Sequence, residues 1–531
     1  MMKGIMIDCS RNGVMTVGAV KKFADIVSKM GYNTLMLYTE DTYEVNNEPF
    51  FGHMRGRYTK AEVKELDAYC TGLGIELIPC IQTLAHLKCA LKWEEYVPAH
   101  DCDDILLIGA ERTLTLLRHI FAKLDECFTT RKVHIGMDEA QSVGLGKYLE
   151  EHGYRDRFTL INEHLHTVCD IAAEYGFETM LWSDMFCRLA LGSGQYAFQS
   201  EEDLRAIREQ AALPEKTAMV YWDYYSTDYD HYNNTLKLHD AFNRKVYFAG
   251  GAWNWKGFAP DNTLGMETML PALQACHDNH VDGWFITLWG DDGGECSSFA
   301  MLPCLMYSIE AANGNTNMDS IKERFREITG ADFDTFLLLD QLNDRDKSRV
   351  YGSCKFLMYN DVFTGLHDCQ CSSKDAEHYA ALAKTIAAAP GKGKFAPLFD
   401  YYISVCEFMA LKVDLGVRTR AAYRSNSKEA IQQLALEIYP EAIRRLQIFY
   451  KAFKGIWMAE KKPFGFDVQD IRFGGLRQRL ESCAERLIDY IDGRIDSIPE
   501  LDEPVMKVTP NSAGGSHWSR SITANHVSEL L

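Results

Sequence analysis

The chain has 531 residues, of which 47% are hydrophobic and 25% charged, the balance of a globular protein with room for two or three domains. Its 56 Lys and Arg stand against 75 Asp and Glu, a formal charge of −19, and no basic block stands out, which argues against nucleic acid or an anionic membrane as partner. No apolar run of about 18 residues marks a spanning helix, and the start Met1-Met2-Lys3-Gly4-Ile5 leads into a strand-like run without a secretory pattern, so the expectation is a soluble, cytoplasmic protein.

Strand-like runs follow one another at residues 4–8, 34–38, 76–81, 132–137, 179–183, 218–222, 246–249 and 284–289. Between them lie stretches with helical apolar spacing, such as Val63, Leu66, Cys70 and Leu73, or Leu114, Leu117, Phe121, Leu124 and Phe128. Thr59 and Glu62 make a capping-box signature ahead of the first of these. Eight strand-then-helix units over about 300 residues predict a (β/α)8 TIM barrel. The runner-up, an open doubly wound sheet, wants a Gly-rich phosphate turn after an early strand. The residues there are Cys9-Ser10-Arg11-Asn12-Gly13, which is no such turn.

From about residue 316 the alternation stops, and 318–342, 374–389, 396–424, 428–460 and 471–493 read as helices. The expected layout is a catalytic barrel at 1–315, a mainly α-helical domain at 316–504 and a tail at 505–531. That tail, with His517-Trp518, reads as a flexible end or as an arm packed on another subunit, and a homodimer is compatible with it. The aromatic segment 351–368, containing Tyr359-Asn360-Asp361, is either a loop returning to the barrel mouth or a domain connector, with the connector favoured. Sixteen cysteines are scattered, several inside apolar stretches such as Cys80, Cys169 and Cys276. No Cys-x-x-Cys pair suggests zinc or redox chemistry, so reduced thiols in a cytosolic compartment are expected. The close pair Cys369 and Cys371 reads as incidental rather than metal-binding.

Chemistry concentrates in Val133-His134-Ile135-Gly136-Met137-Asp138-Glu139, a short buried strand ending in two adjacent acids. Successive strand residues point to opposite faces, so both acids can share a pocket only where the strand gives way to a loop. Barrel enzymes carry their active sites at that end. Paired carboxylates suit glycosidic-bond cleavage, where one delivers a proton while the other stays ionised. Trp182, Trp222, Trp253, Trp255, Trp284 and Trp289 fall in or just after the last four predicted strands. Most of them can face a sugar ring or wall a small apolar pocket; Trp284 reads as core.

His134-Ile135-Gly136-Met137-Asp138-Glu139 resembles the His-x-Gly-x-Asp-Glu signature of the family 20 glycoside hydrolases, the β-N-acetylhexosaminidases. Other predicted strand ends agree in order. Asp8-Cys9-Ser10-Arg11 resembles the first-strand segment with its sugar-binding Arg, and 33–41 the second, ending in Asp41. Tyr58-Thr59, Gly74-Ile75-Glu76-Leu77-Ile78-Pro79 and His86 resemble the helix and third strand that deliver a supporting His. Trp182-Ser183-Asp184 and Trp289-Gly290-Asp291 resemble the fifth and eighth strand ends. The resemblance covers about residues 4–312 and is weak beyond them.

It implies a retaining exo-β-N-acetylhexosaminidase acting on terminal β-GlcNAc or β-GalNAc, with the substrate's own acetamido oxygen as nucleophile and an oxazolinium intermediate. Glu139 would be the general acid and then base; Asp138 would hold the acetamide N–H and stabilise the developing positive charge. Trp182, Trp222 and Trp289 would wall the acetamide, and Trp253 would be a further substrate-binding residue. Arg11, Asp291 and, more weakly, Asp41 would bond the outer hydroxyls. His86 and His134 read either as support for the two acids or as satisfied core histidines. Characterised relatives place a Tyr after the seventh strand, whereas Gly251-Ala252-Trp253-Asn254-Trp255 stands here, so Asn254 or a Trp, or else Tyr224 or Tyr225 from the sixth, is the candidate to bond the acetamide oxygen. No cofactor or metal is called for, and the expected partner is a small carbohydrate. The competing readings are a noncatalytic amino-sugar-binding or sensor protein, and another acetamido-assisted barrel glycosidase.

Overall fold

Runs buried on both faces read as continuous apolar segments and pair in parallel, which is how this chain assembles. The computed structural model describes residues 1–190, 205, 213–291, 293–343 and 353–506. Eight parallel strands close into a barrel: β1 (Met2–Asp8), β2 (Thr34–Tyr38), β3 (Glu76–Cys80), β4 (Lys132–His134), β5 (Glu178–Trp182), β6 (Thr217–Trp222), β7 (Val246–Gly251) and β8 (Gly283–Leu288). Closure is made by β1, whose Met2 to Ile7 pair with Gly283 to Leu288 on one side while Gly4 to Asp8 pair with Thr34 to Tyr38 on the other. The helix Lys60–Gly72 starts at Thr59 with both bonds of its capping box formed to Glu62.

The fourth strand is shorter than the predicted 132–137. It ends at His134 because Gly136, Met137 and Glu139 adopt φ of 73°, 72° and 51°, a left-handed backbone incompatible with an extended ladder. The Ile135 amide still bonds Met180 O, and Gly136 O still accepts from Trp182 N. The chain therefore leaves the sheet one residue at a time while staying tied to β5.

A hairpin unmarked by any sequence signal, His100–Cys102 with Ile105–Leu106, follows β3. Its Asp101 accepts the amides of Gly144 and Tyr148, each at 2.8 Å, and so ties the loop after β3 to the loop after β4.

Two apolar layers fill the barrel region. Outside the sheet, a continuous core links strands and helices and runs on into the C-terminal helices. Inside, Met6, Met36, Ile78, Met180, Val220 and Phe285 stack beneath Trp182, Tyr224 and Trp289, so the barrel interior is a packed floor rather than a channel.

Helices dominate the remainder, including Ser373–Ala388, Ala396–Lys412, Leu415–Arg424, Tyr439–Glu460 and Phe466–Ile491. The predicted helix 318–342 is broken at Gly330, whose φ of 72° ends Met318–Thr329, as a left-handed glycine cap does. Phe258, after β7, inserts among Phe449, Phe453 and Phe473 with ring centroids 5.5, 5.5 and 6.0 Å away. Beyond β8, buried Glu295 meets Lys355 at 2.8 Å and Arg472 at 2.9 Å.

Lys355 lies on the helix Ser353–Tyr359. The segment 351–368 thus holds a helix where none was expected; Asp361 bonds Arg479, and Asn360 bonds Asp368. Tyr351 and tail residues 507–531, with His517 and Trp518, lie outside the described residues. Among the described residues no helix is long and apolar enough to cross a membrane.

Candidate active site

The carboxyl ends of β1 and β8 are stitched together by one side chain. Asp8 Oδ1 accepts from Ser10 N, Ser10 Oγ and Arg11 N, while its Oδ2 accepts from Gly290 N at 2.9 Å and meets Arg11 Nη1 at 3.2 Å. Arg11 is thereby fixed with its guanidinium 3.2 Å from Asp291 and 3.3 Å from Glu40, over the rings of Trp289 and Tyr38 at 4.7 and 5.1 Å. Three carboxylates and two aromatic faces around one cation leave it charged at any working pH.

Across the barrel mouth, Asp138 is buried and Glu139 projects with a side chain 48% exposed. His86 Nε2 sits 3.2 Å from Asp138 Oδ2 and 3.7 Å from Glu139 Oε2. Gln82 donates Nε2–H to Asp138 Oδ1 at 2.8 Å and to Tyr38 Oη at 2.9 Å, and Tyr38 in turn donates to Glu40. Burial alone would favour a neutral Asp138, but the His86 charge, the Gln82 hydrogen bond and the Arg11 charge overcome it and hold the carboxyl well below the usual range. Burial likewise opposes charge on His86, and Asp138 reverses that, pushing the imidazole up to about 10. The pair is an imidazolium against a carboxylate. Burial pushes the Glu40 carboxyl up, and Arg11 and His86 partly offset it.

Aromatic groups wall the space between these two charged corners. An open cavity of ≈ 480 Å³ is lined by Arg11, Asp138, Glu139, Trp182, Trp222, Tyr224, Tyr225, Trp255, Trp289 and Asp291. Trp222 stacks on Tyr224 at 5.4 Å with 24° between planes, and Trp289 donates Nε1–H to Tyr224 Oη at 3.1 Å. Trp255 meets Tyr224 edge-on at 5.4 Å. Indole and phenol faces with a few convergent polar groups suit a small ligand with an apolar side and several hydroxyls.

Nine expected residues line this cavity together: Arg11, Asp138, Glu139, Trp182, Trp222, Tyr224, Tyr225, Trp289 and Asp291. His86 stands against both acids. The other three lie elsewhere. Asp41 is 1% exposed and bonds Arg55 Nε at 3.2 Å, because the backbone after β2 turns Glu40, not Asp41, toward Arg11. Trp253 is 2% exposed; it stacks behind Trp255 at 4.7 Å and donates Nε1–H to Tyr224 O, so Trp255 takes the wall position. His134 is fully buried under Trp182, 4.3 Å between rings, and burial drives its imidazole down to about 3. It is a neutral floor residue whose Nδ1 accepts from Gly136 N. Asn254 is also buried, outside the cavity lining.

Glu40, Gln82 and Asp184 were given no site role by sequence reasoning, and Trp255, counted among the six tryptophans at the strand ends, was passed over in favour of Trp253. Glu40 had a signal in its adjacency to Asp41, and Asp184 in the Trp182-Ser183-Asp184 run; Gln82 had none beyond its place after a strand. Among the described residues no group of three His, Cys, Asp or Glu side chains is arranged to hold a metal ion.

The glycosyl hydrolase family 20 catalytic-domain model matches residues 2–283, and the glycoside hydrolase 20C C-terminal-domain model matches residues 332–519. Hexosaminidase D of Bos taurus is 24% identical over 267 residues, 48% of this chain and 70% of that protein. A beta-hexosaminidase of Akkermansia muciniphila is 28% identical over 168 residues, 26% of this chain and 34% of its own length. The crystal structure of the beta-N-acetylhexosaminidase from Bacteroides fragilis shares 18% identity, covering 61% of this chain and 69% of that one, with a TM-score of 0.46. Since the catalytic-domain model alone matches more than half of the chain, the protein belongs to glycosyl hydrolase family 20 and is a glycoside hydrolase.

Proposed function

We propose that this chain is a retaining exo-β-N-acetylhexosaminidase that removes terminal β-GlcNAc or β-GalNAc, with the substrate's acetamido oxygen as nucleophile. The observation that carries it is that Asp138 and Glu139 open onto one cavity with Trp182, Trp222, Trp255 and Trp289. The names of the similar curated proteins, hexosaminidases both, support the same reading.

A 2-acetamido group folded beneath its own ring needs an enclosure for the methyl, an acceptor for the N–H and a donor for the oxygen. The indole walls supply the first. Asp138, kept ionised by His86 and Gln82, supplies the second and stabilises the positive charge that spreads onto the amide as its oxygen attacks carbon 1. Tyr224 suits the third role: its hydroxyl, which accepts from Trp289 and lies within hydrogen-bonding reach of Thr287, is the phenol at the cavity wall that can turn its proton to the acetamide oxygen. It is a better candidate than Asn254, which does not line the cavity.

Glu139, half exposed, is placed to protonate the departing oxygen and then to take a proton from the water that opens the oxazolinium ring. Two displacements at carbon 1 retain its configuration. Arg11 and Asp291 on the opposite side suit the outer hydroxyls, where a charged donor and a charged acceptor side by side read a sugar edge.

The test is hydrolysis of aryl β-GlcNAc, β-GalNAc and β-Glc by wild type and Glu139→Gln, together with inhibition by a thiazoline mimic of the cyclised intermediate. The expected results are turnover of the N-acetyl sugars only, competitive inhibition, and a loss in Glu139→Gln of roughly 10²- to 10⁴-fold that shrinks with a good phenolate leaving group. A protein that binds GlcNAc yet leaves every aryl hexosaminide intact would be a sensor instead.

A further inference from the structure

The turn that carries the two acids is held in an unfavourable backbone by side chains from three different strand ends. Gly136, Met137 and Glu139 all have positive φ, a left-handed backbone that the two side-chain-bearing residues adopt only when their surroundings hold them there. Each of these amides is bonded to a side chain: Gly136 N to His134 Nδ1 at 3.1 Å, Met137 N to Gln82 Oε1 at 3.2 Å, and Glu139 N to Asp184 Oδ2 at 3.2 Å. The first comes from β4 itself, the second from beyond β3, the third from beyond β5.

Asp184 is fully buried, two residues beyond the cavity wall Trp182. Ser183, just before it, is anchored to the next strand: its amide and its hydroxyl both donate to Val220 O, and its Oγ lies 2.7 Å from His239 Nε2. The carboxyl therefore has little freedom to move away from Glu139.

We propose that Asp184 is a positioning residue for the reaction, its Oδ2 accepting the Glu139 amide hydrogen and so fixing the left-handed backbone that aims the Glu139 carboxyl at the leaving oxygen. The inference rests on Glu139 being the general acid. Burial, with the Asp138 charge next, pushes Asp184 up to about 7. Oδ2 can accept the amide hydrogen whether the carboxyl is protonated or ionised. What the site requires of Asp184 is an oxygen at that point rather than a negative charge, so an amide side chain can take over.

A misaimed acid and a generally disturbed fold are separated by leaving-group dependence, because a departing group that needs no proton is indifferent to where the acid points. The experiment measures kcat/KM on phenyl and 2,4-dinitrophenyl β-GlcNAc for wild type, Glu139→Gln, Asp184→Ala, Asp184→Leu and Asp184→Asn, with thermal unfolding of each. Asp184→Ala is expected to lose about 10²-fold on the phenyl glycoside and less than about tenfold on the dinitrophenyl one. Asp184→Asn should recover at least roughly tenfold of that loss on the phenyl glycoside. Should Asp184→Ala be too unstable to assay, Asp184→Leu, which refills the volume without an acceptor, carries the same expectation. Equal losses on both substrates, or an Asn variant as defective as Ala, would overturn the proposal. If Glu139→Gln itself shows no leaving-group dependence, the acid assignment falls as well; if Glu139→Gln shows it and the Asp184 variants do not, only Asp184's role falls.

Discussion

His86→Gln removes the imidazolium from between Asp138 and Glu139, and its effect on stability has a pH signature that can be worked out beforehand. His86 has a side chain 15% exposed and lies 3.2 Å from Asp138. Despite burial, Asp138 raises it from 6.5 to about 10. A proton held more tightly by the folded than by the unfolded chain stabilises fully below the unfolded value and is lost as pH climbs through the folded one. Between those limits stability falls by about 1.4 kcal/mol per pH unit for each such group. From about pH 7.5 to about 9.5, wild type should therefore lose roughly 2–3 kcal/mol more than His86→Gln. Asp184, also pushed up by burial, contributes a slope of the same sign but is present in both proteins, so the difference between them reads His86. Thiols, phenols and amines common to both proteins cancel in the difference. Urea unfolding at several pH values, compared between the two proteins, reads the effect directly. Parallel curves would mean that His86 is neutral in the folded protein and that the Asp138 charge rests on Gln82 and the Arg11 charge.

Asp138→Asn should cut kcat/KM on N-acetyl substrates by about 10²- to 10³-fold, since the amide cannot stabilise the oxazolinium charge; steady-state kinetics on the aryl glycosides check this. Trp255→Ala should raise KM by roughly tenfold with little change in melting temperature, as it removes one cavity wall. Trp253→Ala, beneath it, should cost about 3–5 kcal/mol of stability by chemical denaturation. Glu295→Gln takes the carboxylate from between the buried Lys355 and Arg472 and should cost about 3–5 kcal/mol, measured the same way.

Much of the site could be read from the sequence because it lies where strand periodicity ends. The apolar run before Asp138 and Glu139 required a buried strand, and two adjacent acids at its end could meet only in a loop at the barrel mouth. Trp182, Trp222 and Trp289 were legible for the same reason: each sits at or just past the end of its strand, and all three line the cavity. The capping box at Thr59, local to four residues, was equally plain.

Where the chain leaves the strands, periodicity no longer assigns a face, and neighbouring residues of like chemistry compete for one position. Glu40 rather than Asp41 meets Arg11, and Trp255 rather than Trp253 lines the wall, because loop dihedrals and packing behind the loop choose between them. His134 carries the family motif yet ends up neutral under Trp182, since burial outweighs any charge partner within reach. Gln82 and Asp184 hold backbone amides of the turn that bears the acids, and their targets exist only once Gly136, Met137 and Glu139 have taken positive φ. Local patterning, a matter of which face is apolar, set the barrel, the helical region after it and the acid pair. The turn that bears those acids is braced by side chains 55 and 45 residues away from the amides they hold, and the charge on Asp138 is set by His86 and Gln82, groups that only closure of the barrel brings together.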